Sequence, residues 1–178
     1  MRRFAGLILL VASSGALSSE TENAAATLCA ESETALFSCP VGAKILSLCA
    51  SSPLTPDSGY VQYRFGSAAK VELEFPGSKV HPRNSLTLFG SGFARGYVAH
   101  LNFNVGAYTY VVYDRLVGAF QNGRPEGHDH YAGVIVAKRG KVVSRLPCSD
   151  TSGARFQGSF EGIIPDGGGY EYWWFADI

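Results

Sequence analysis

The chain has 178 residues, with 15 Lys and Arg against 15 Asp and Glu, 21 glycines, four cysteines and one methionine, Met1. That balance leaves no basic excess to hold nucleic acid or an anionic membrane surface, and the length suits one domain. Frequent glycine and a 12% aromatic share favour strands joined by tight turns over helices.

Residues 1–18 place Arg2 and Arg3 before an apolar run, 4–12, and a zone of small residues, 13–18. This is the layout of a secretory signal peptide, with cleavage between 16 and 26, and residues 19–178 read as a single β domain. The apolar run is too short for the about 20 residues of a membrane-spanning helix, so no membrane insertion is expected after cleavage. Loss of Arg2 and Arg3 leaves 13 basic against 15 acidic residues, a net charge near −2. The expected location is periplasmic or secreted.

Cys29, Cys39, Cys49 and Cys148 then reach an oxidising compartment, where an even number implies two disulfides. Zinc is the competing reading, but the chain has no CxxC pair and its ten-residue spacings are too long for a ligand knuckle. Four cysteines allow three pairings. A hairpin of 36–40 with 45–49, turning at Gly42-Ala43, sets Cys39 opposite Leu46 and Cys49 opposite Leu36, on opposite faces of the sheet. This argues against Cys39–Cys49, although a one-residue change in the loop reverses the conclusion. The reading favours Cys29 with Cys49 and Cys39 with Cys148.

No stretch after the leader repeats apolar residues at helical spacing over three turns, whereas period-two segments recur between glycines, so the fold class is all-β. Residues 20–30 form a polar, alanine-rich arm anchored at Cys29, followed by a hairpin of 34–39 with 44–50 and a loop at 51–59. The next pair, 60–65 with 71–75, turns at 67–69 and sets Phe65 against Val71, Arg64 against Glu72, Tyr63 against Leu73 and Gln62 against Glu74. Pro76 ends that strand. After a turn-rich link, 77–84, come a short strand, 85–89, and a hairpin of 97–104 with 108–116. In that hairpin Val98, His100, Asn102 and Asn104 give a wet face, and Ala99, Leu101 and Phe103 a dry one. A further hairpin, 132–137 with 141–146, turns at Arg139-Gly140. Strands at 156–160 and 170–175 complete an antiparallel meander of about nine or ten strands, closed as a sandwich, a barrel or a propeller-like stack.

The residues Phe37-Ser38-Cys39, Ser47-Leu48-Cys49 and Tyr60-Val61-Gln62-Tyr63-Arg64-Phe65-Gly66, with Tyr108-Thr109-Tyr110 and a late Cys148, carry a family likeness. The chain resembles a family of small exported, uncharacterised bacterial proteins in which a paired-cysteine hairpin precedes a YRFG strand. The resemblance covers about a third of the chain convincingly and implies export, disulfides and a β fold, with no enzyme activity.

Residues 121–130 read as a polar loop between strands, and Arg124, Glu126, His128 and Asp129 suit an exposed recognition loop on a rigid scaffold. His128 and His130, two apart, would share one side of an extended segment. They could chelate a metal with His81 or His100, but so short a motif is weak, and neither metal nor cofactor is expected. Tyr170, Tyr172, Trp173, Trp174 and Phe175 form an aromatic run suited either to a closing core strand or to stacking on sugars. No GxSxG elbow, Walker loop or dinucleotide fingerprint occurs. Glu72 and Glu74 alternate on one strand face opposite Arg64 and Gln62, as a surface ladder would. The expected function is binding, as an inhibitor or immunity-type partner of an envelope or wall-degrading enzyme. The alternative is a carbohydrate or peptidoglycan module using Trp173 and Trp174, and the third reading is a secreted hydrolase.

Overall fold

A computed structural model describes residues 26–158 and 160–168. Its strands are β1 (Glu33–Val41), β2 (Lys44–Ser51), β3 (Val61–Ser67), β4 (Lys70–Phe75), β5 (Thr87–Phe93), β6 (Gly96–Val105), β7 (Tyr108–Gln121), β8 (Arg124–Lys138) and β9 (Lys141–Pro147). They form two antiparallel sheets, β1-β2-β3-β4 and β5-β6-β7-β8-β9, each a meander of sequence neighbours. Of the three closures, the sandwich is the one observed: one core joins Phe37, Leu46, Leu48 and Tyr63 of the first sheet to Leu101, Phe103, Val112 and Val134 of the second. Ring contacts cross the interface, with Tyr63 4.9 Å and Phe75 4.7 Å from Phe103 between centroids.

Two local irregularities shift the register expected from the sequence. In β1, a bulge at Leu36 pairs Cys49 with Ala35 instead of Leu36, while Cys39 does face Leu46. The extra residue lets Leu36 and Phe37 both enter the core. Between β3 and β4 the turn shortens to Ala68-Ala69, and Arg64 faces Glu74, Phe65 faces Leu73 and Tyr63 faces Phe75. The shift is possible because residue 66 is glycine: a Cβ there would lie 2.2 Å from the Lys70 carbonyl oxygen and 2.8 Å from the Glu72 nitrogen.

Residues on the outer side of the first sheet are buried as well, among them Ser47, Cys49, Gln62 and Arg64. The arm at 26–33 lies over them, held by the Cys29–Cys49 disulfide and by hydrogen bonds from the Leu28 amide to Ser47 Oγ (3.0 Å) and from Ser38 Oγ to the Ala26 carbonyl (2.8 Å). Beneath the arm, Arg64 donates to both Glu33 oxygens (2.5 and 2.9 Å), to Glu74 (2.9 Å) and to the Leu28 carbonyl (3.1 Å). Tyr60 donates to Glu33 from the side, at 2.7 Å. The Arg64 guanidinium holds the Glu33 carboxyl at about 2, below its ordinary 4.5, against the opposing effect of burial.

The second disulfide, Cys39–Cys148, ties β1 to the end of β9, across the two sheets. From there the chain runs along the free edge of β1: Ser149 N donates to Pro40 O (2.9 Å), Ser38 N to Gly153 O (3.0 Å) and Gln157 N to Leu36 O (2.8 Å). Phe160, Ile163 and Ile164 enter the common core, and the chain then meets the edge of β5, where Leu88 N donates to Pro165 O and Gly167 N to Leu88 O. Residues 156–158 and 160 therefore make no strand, because their backbone groups and side chains seal an edge and an end of the sandwich. The expected strand at 170–175 lies outside the described residues. The face of β6 expected to be wet is also different: Val98 and His100 are buried, and Val98 joins Val111, Tyr113, Ile135 and Ala137 in a second apolar cluster. Only Asn102 and Asn104 remain partly or fully exposed there, because the neighbouring outward positions of β7 and β8 are themselves apolar.

Intact protein should weigh four hydrogens less than its reduced form. Replacing Cys39 and Cys148 together by Ala is expected to lower the unfolding free energy by about 2 to 5 kcal/mol in urea titrations, as befits a long closed loop. Because Glu33 titrates lower in the folded than in the unfolded chain, its contribution is complete above about 4.5 and is lost as the pH falls toward about 2. The loss is on the order of 3 kcal/mol. Glu33→Gln should remove this acid-limb dependence, and an unchanged pH profile in that variant would refute the assignment.

Candidate binding surface

β7 and β8 outrun the rest of their sheet. Pairing with β6 ends at Gly96–Val117, whereas β7 and β8 continue through Gly118–His128, Phe120–Pro125 and Gln121–Arg124 to a two-residue turn, Asn122-Gly123. The segment read as a loop at 121–130 is thus a β-ribbon. The reason is the turn: Asn122 (φ 51°) and Gly123 (φ 74°) both take the left-handed conformation that a tight hairpin demands.

Arg124, Glu126, His128 and Asp129 are all exposed on this ribbon. With them stands Phe120, 62% exposed, which the sequence reading passed over. The neighbouring β5–β6 turn supports it, since the Arg95 guanidinium lies 5.2 Å from the Phe120 ring centre and donates to the Gly127 carbonyl at 3.1 Å. An alternating apolar position on a polar hairpin was the signal available for Phe120.

His130 does not belong to the exposed set. Its Nε2 lies 2.9 Å from Oδ1 of the buried Asp114, which also accepts from the Tyr97 hydroxyl (2.9 Å), while Asp114 Oδ2 accepts from the Phe156 amide (3.0 Å). Burial, and then the bond to Asp114, push the Tyr97 hydroxyl up to about 12. This carboxylate joins β6, β7 and β8 to the segment sealing β1. Asp114 could have been found from parity, because it shares the inward side of β7 with Val112.

The remaining histidines are engaged elsewhere: His81 Nε2 with the Thr55 carbonyl at 3.1 Å, and the buried His100 through Nδ1 with Asn102 Oδ1 at 2.8 Å. Among the described residues, three donors of metal-ligating type converge only at Cys29, Glu33 and Cys49, where the two sulfurs are bonded to each other. Glu72 and Glu74 are not a free carboxylate pair, since Glu72 meets Lys44 and Glu74 meets Arg64. Trp173 and Trp174 lie outside the described residues.

The architecture is a disulfide-stapled antiparallel β-sandwich with a projecting ribbon. Comparison with protein-family models, with curated proteins and with solved structures finds no match.

Alanine at Arg124, Glu126, His128 or Asp129 should shift stability by no more than about 0.5 kcal/mol per site. His130→Ala should cost about 1 to 3 kcal/mol by removing a partner of the buried Asp114. Urea midpoints of the five variants check both statements, and a His130 variant as stable as wild type would contradict the second.

Proposed function

We propose that this chain is an exported binding protein whose β7–β8 ribbon engages a protein partner, as an inhibitor or immunity-type partner of an envelope or wall-degrading enzyme. The observation that carries the reading is Phe120, a large ring kept in water near the tip of a ribbon, with Arg95 over it and with Arg124, Glu126 and Asp129 exposed on the same ribbon. An aromatic anchor within a charged rim is the composition of a protein-binding hot spot. A hairpin with its own turn and a sheet behind it can enter a cleft with little loss of conformational freedom.

Two disulfides suit an oxidising compartment, and among the described residues no helix is long and apolar enough to cross a membrane. Together with the leader-like residues 1–18, this supports a periplasmic or secreted location and the likeness to the exported family.

Immobilised full-length protein should capture a wall-degrading activity from envelope extract and reduce that activity when added back. Combining Phe120→Ala with alanine at Arg124, Glu126, His128 and Asp129 should abolish both effects while the fold persists. Retention of capture and inhibition by the folded variant would overturn the ribbon assignment.

A further inference from the structure

A polar groove on the outer side of the second sheet, at the end of the sandwich away from the ribbon, is bounded by Asn84, Thr87, Phe89, Asn102, Asn104 and Thr109. Its volume is about 550 Å³, within the range of small-ligand sites. The register assembles it. Thr87 pairs with Asn102 across β5 and β6, Asn104 pairs with Thr109 across β6 and β7, and Asn102 and Asn104 stand two apart on one strand. Alternation therefore brings hydroxyls and amides of three strands to a single face.

The two amides are oriented by the protein. Asn104 Oδ1 accepts from the Thr109 hydroxyl at 2.8 Å, and Asn102 Oδ1 bonds His100 Nδ1 at 2.8 Å. Each bond occupies the carbonyl end and leaves the NH₂ end, with its two donors, for another partner. The Thr109 hydroxyl, having donated, retains acceptor capacity.

We propose that this groove binds a neutral saccharide. Sugars present hydroxyls that donate and accept at once, and side-chain amides and hydroxyls reciprocate without charge. An anionic ligand would call for cations, yet Arg83 is the one charged group among the described lining residues, and its Nη2 is committed to the Pro56 carbonyl at 2.5 Å. An apolar ligand would desolvate the amides without replacing their hydrogen bonds. An added peptide strand would need the backbone edge of β5, which Pro165 and Gly167 occupy through Leu88.

Isotope-labelled protein is titrated with the soluble tetrasaccharides of N-acetylglucosamine and of glucose, following the side-chain NH₂ resonances of Asn102 and Asn104. Saturable shifts of both resonances are expected with at least one sugar. Combining Asn104→Ala with Thr109→Val should weaken binding about tenfold or more, the equivalent of about 1.4 kcal/mol. Asn102→Ala, with its fold verified by thermal melting, is a second test, since Asn102 also supports the buried His100. Absence of shifts with both sugars at millimolar concentration, or undiminished binding by the folded Asn104/Thr109 variant, would overturn the proposal. The five-site ribbon variant should bind sugar as wild type does, so failure of the ribbon reading and failure of this one are distinguishable.

Discussion

The bond between Cys39 and Cys148 fixes an edge strand of one sheet to the end of the other, and the sealing of the sandwich follows from it. An open sandwich leaves unpaired backbone groups along its edges, a liability for edge-to-edge association. Here the residues after Cys148 are delivered to the edge of β1, and the same segment crosses the core at Phe160, Ile163 and Ile164 before covering part of β5. Turns and bends suffice for this work because each backbone group needs only a partner at the correct place. The edge strand β4, which no other described strand pairs on its outer side, carries Lys70, Glu72 and Glu74, and charge there disfavours pairing with another chain.

Two buried carboxylates repeat this logic on opposite sheets. Glu33 gathers Arg64, Tyr60 and the Ala30 amide and thereby holds the arm against the first sheet. Asp114 gathers Tyr97, His130 and the Phe156 amide and holds the sealing segment against the second. Between Glu33 and Arg64 the desolvation of both groups offsets much of their attraction, but losing one member leaves the other's charge uncompensated. Such clusters therefore select an arrangement of the chain more than they deepen its free-energy minimum. The Cys29–Cys49 bond acts with the Glu33 cluster, since both fasten the same arm to the same face.

Strand identity was legible wherever alternation was regular and the turn was short, as in β6 with β7 and β8 with β9. The disulfide pairing was legible too, because the inward parity of Cys39 and the outward parity of Cys49 survive the bulge at Leu36. Bulges themselves were not: nothing in the composition around Leu36 or Glu72 announces an extra residue, and the need for glycine at position 66 emerges only once Lys70 and Glu72 approach it. The ribbon was hidden for another reason. Its residues are polar enough to read as a loop, yet Asn122-Gly123 is a strong hairpin signal, and weighting turn chemistry above polarity would have extended both strands. The wet face of β6 failed because alternation within one strand cannot report that Val111 and Ile135 surround Val98.

β7 passes from Thr109 in the groove to Gln121 at the ribbon tip, a run of roughly 40 Å at the ordinary rise of a strand. The two surfaces differ in physical character as well as position. Phe120 is an exposed apolar ring with the Arg95 guanidinium over it, on a ribbon that also exposes charges of both signs, an arrangement whose affinity grows when a partner excludes water. Between Asn102 and Asn104 the groove offers directional, uncharged hydrogen bonds, an arrangement that discriminates by geometry and binds small polar ligands weakly. A protein that held a wall-degrading enzyme with one end and the glycan it acts on with the other would place inhibitor and substrate at the same spot. Affinity for each then need only be modest, because tethering at one surface raises the effective concentration at the other.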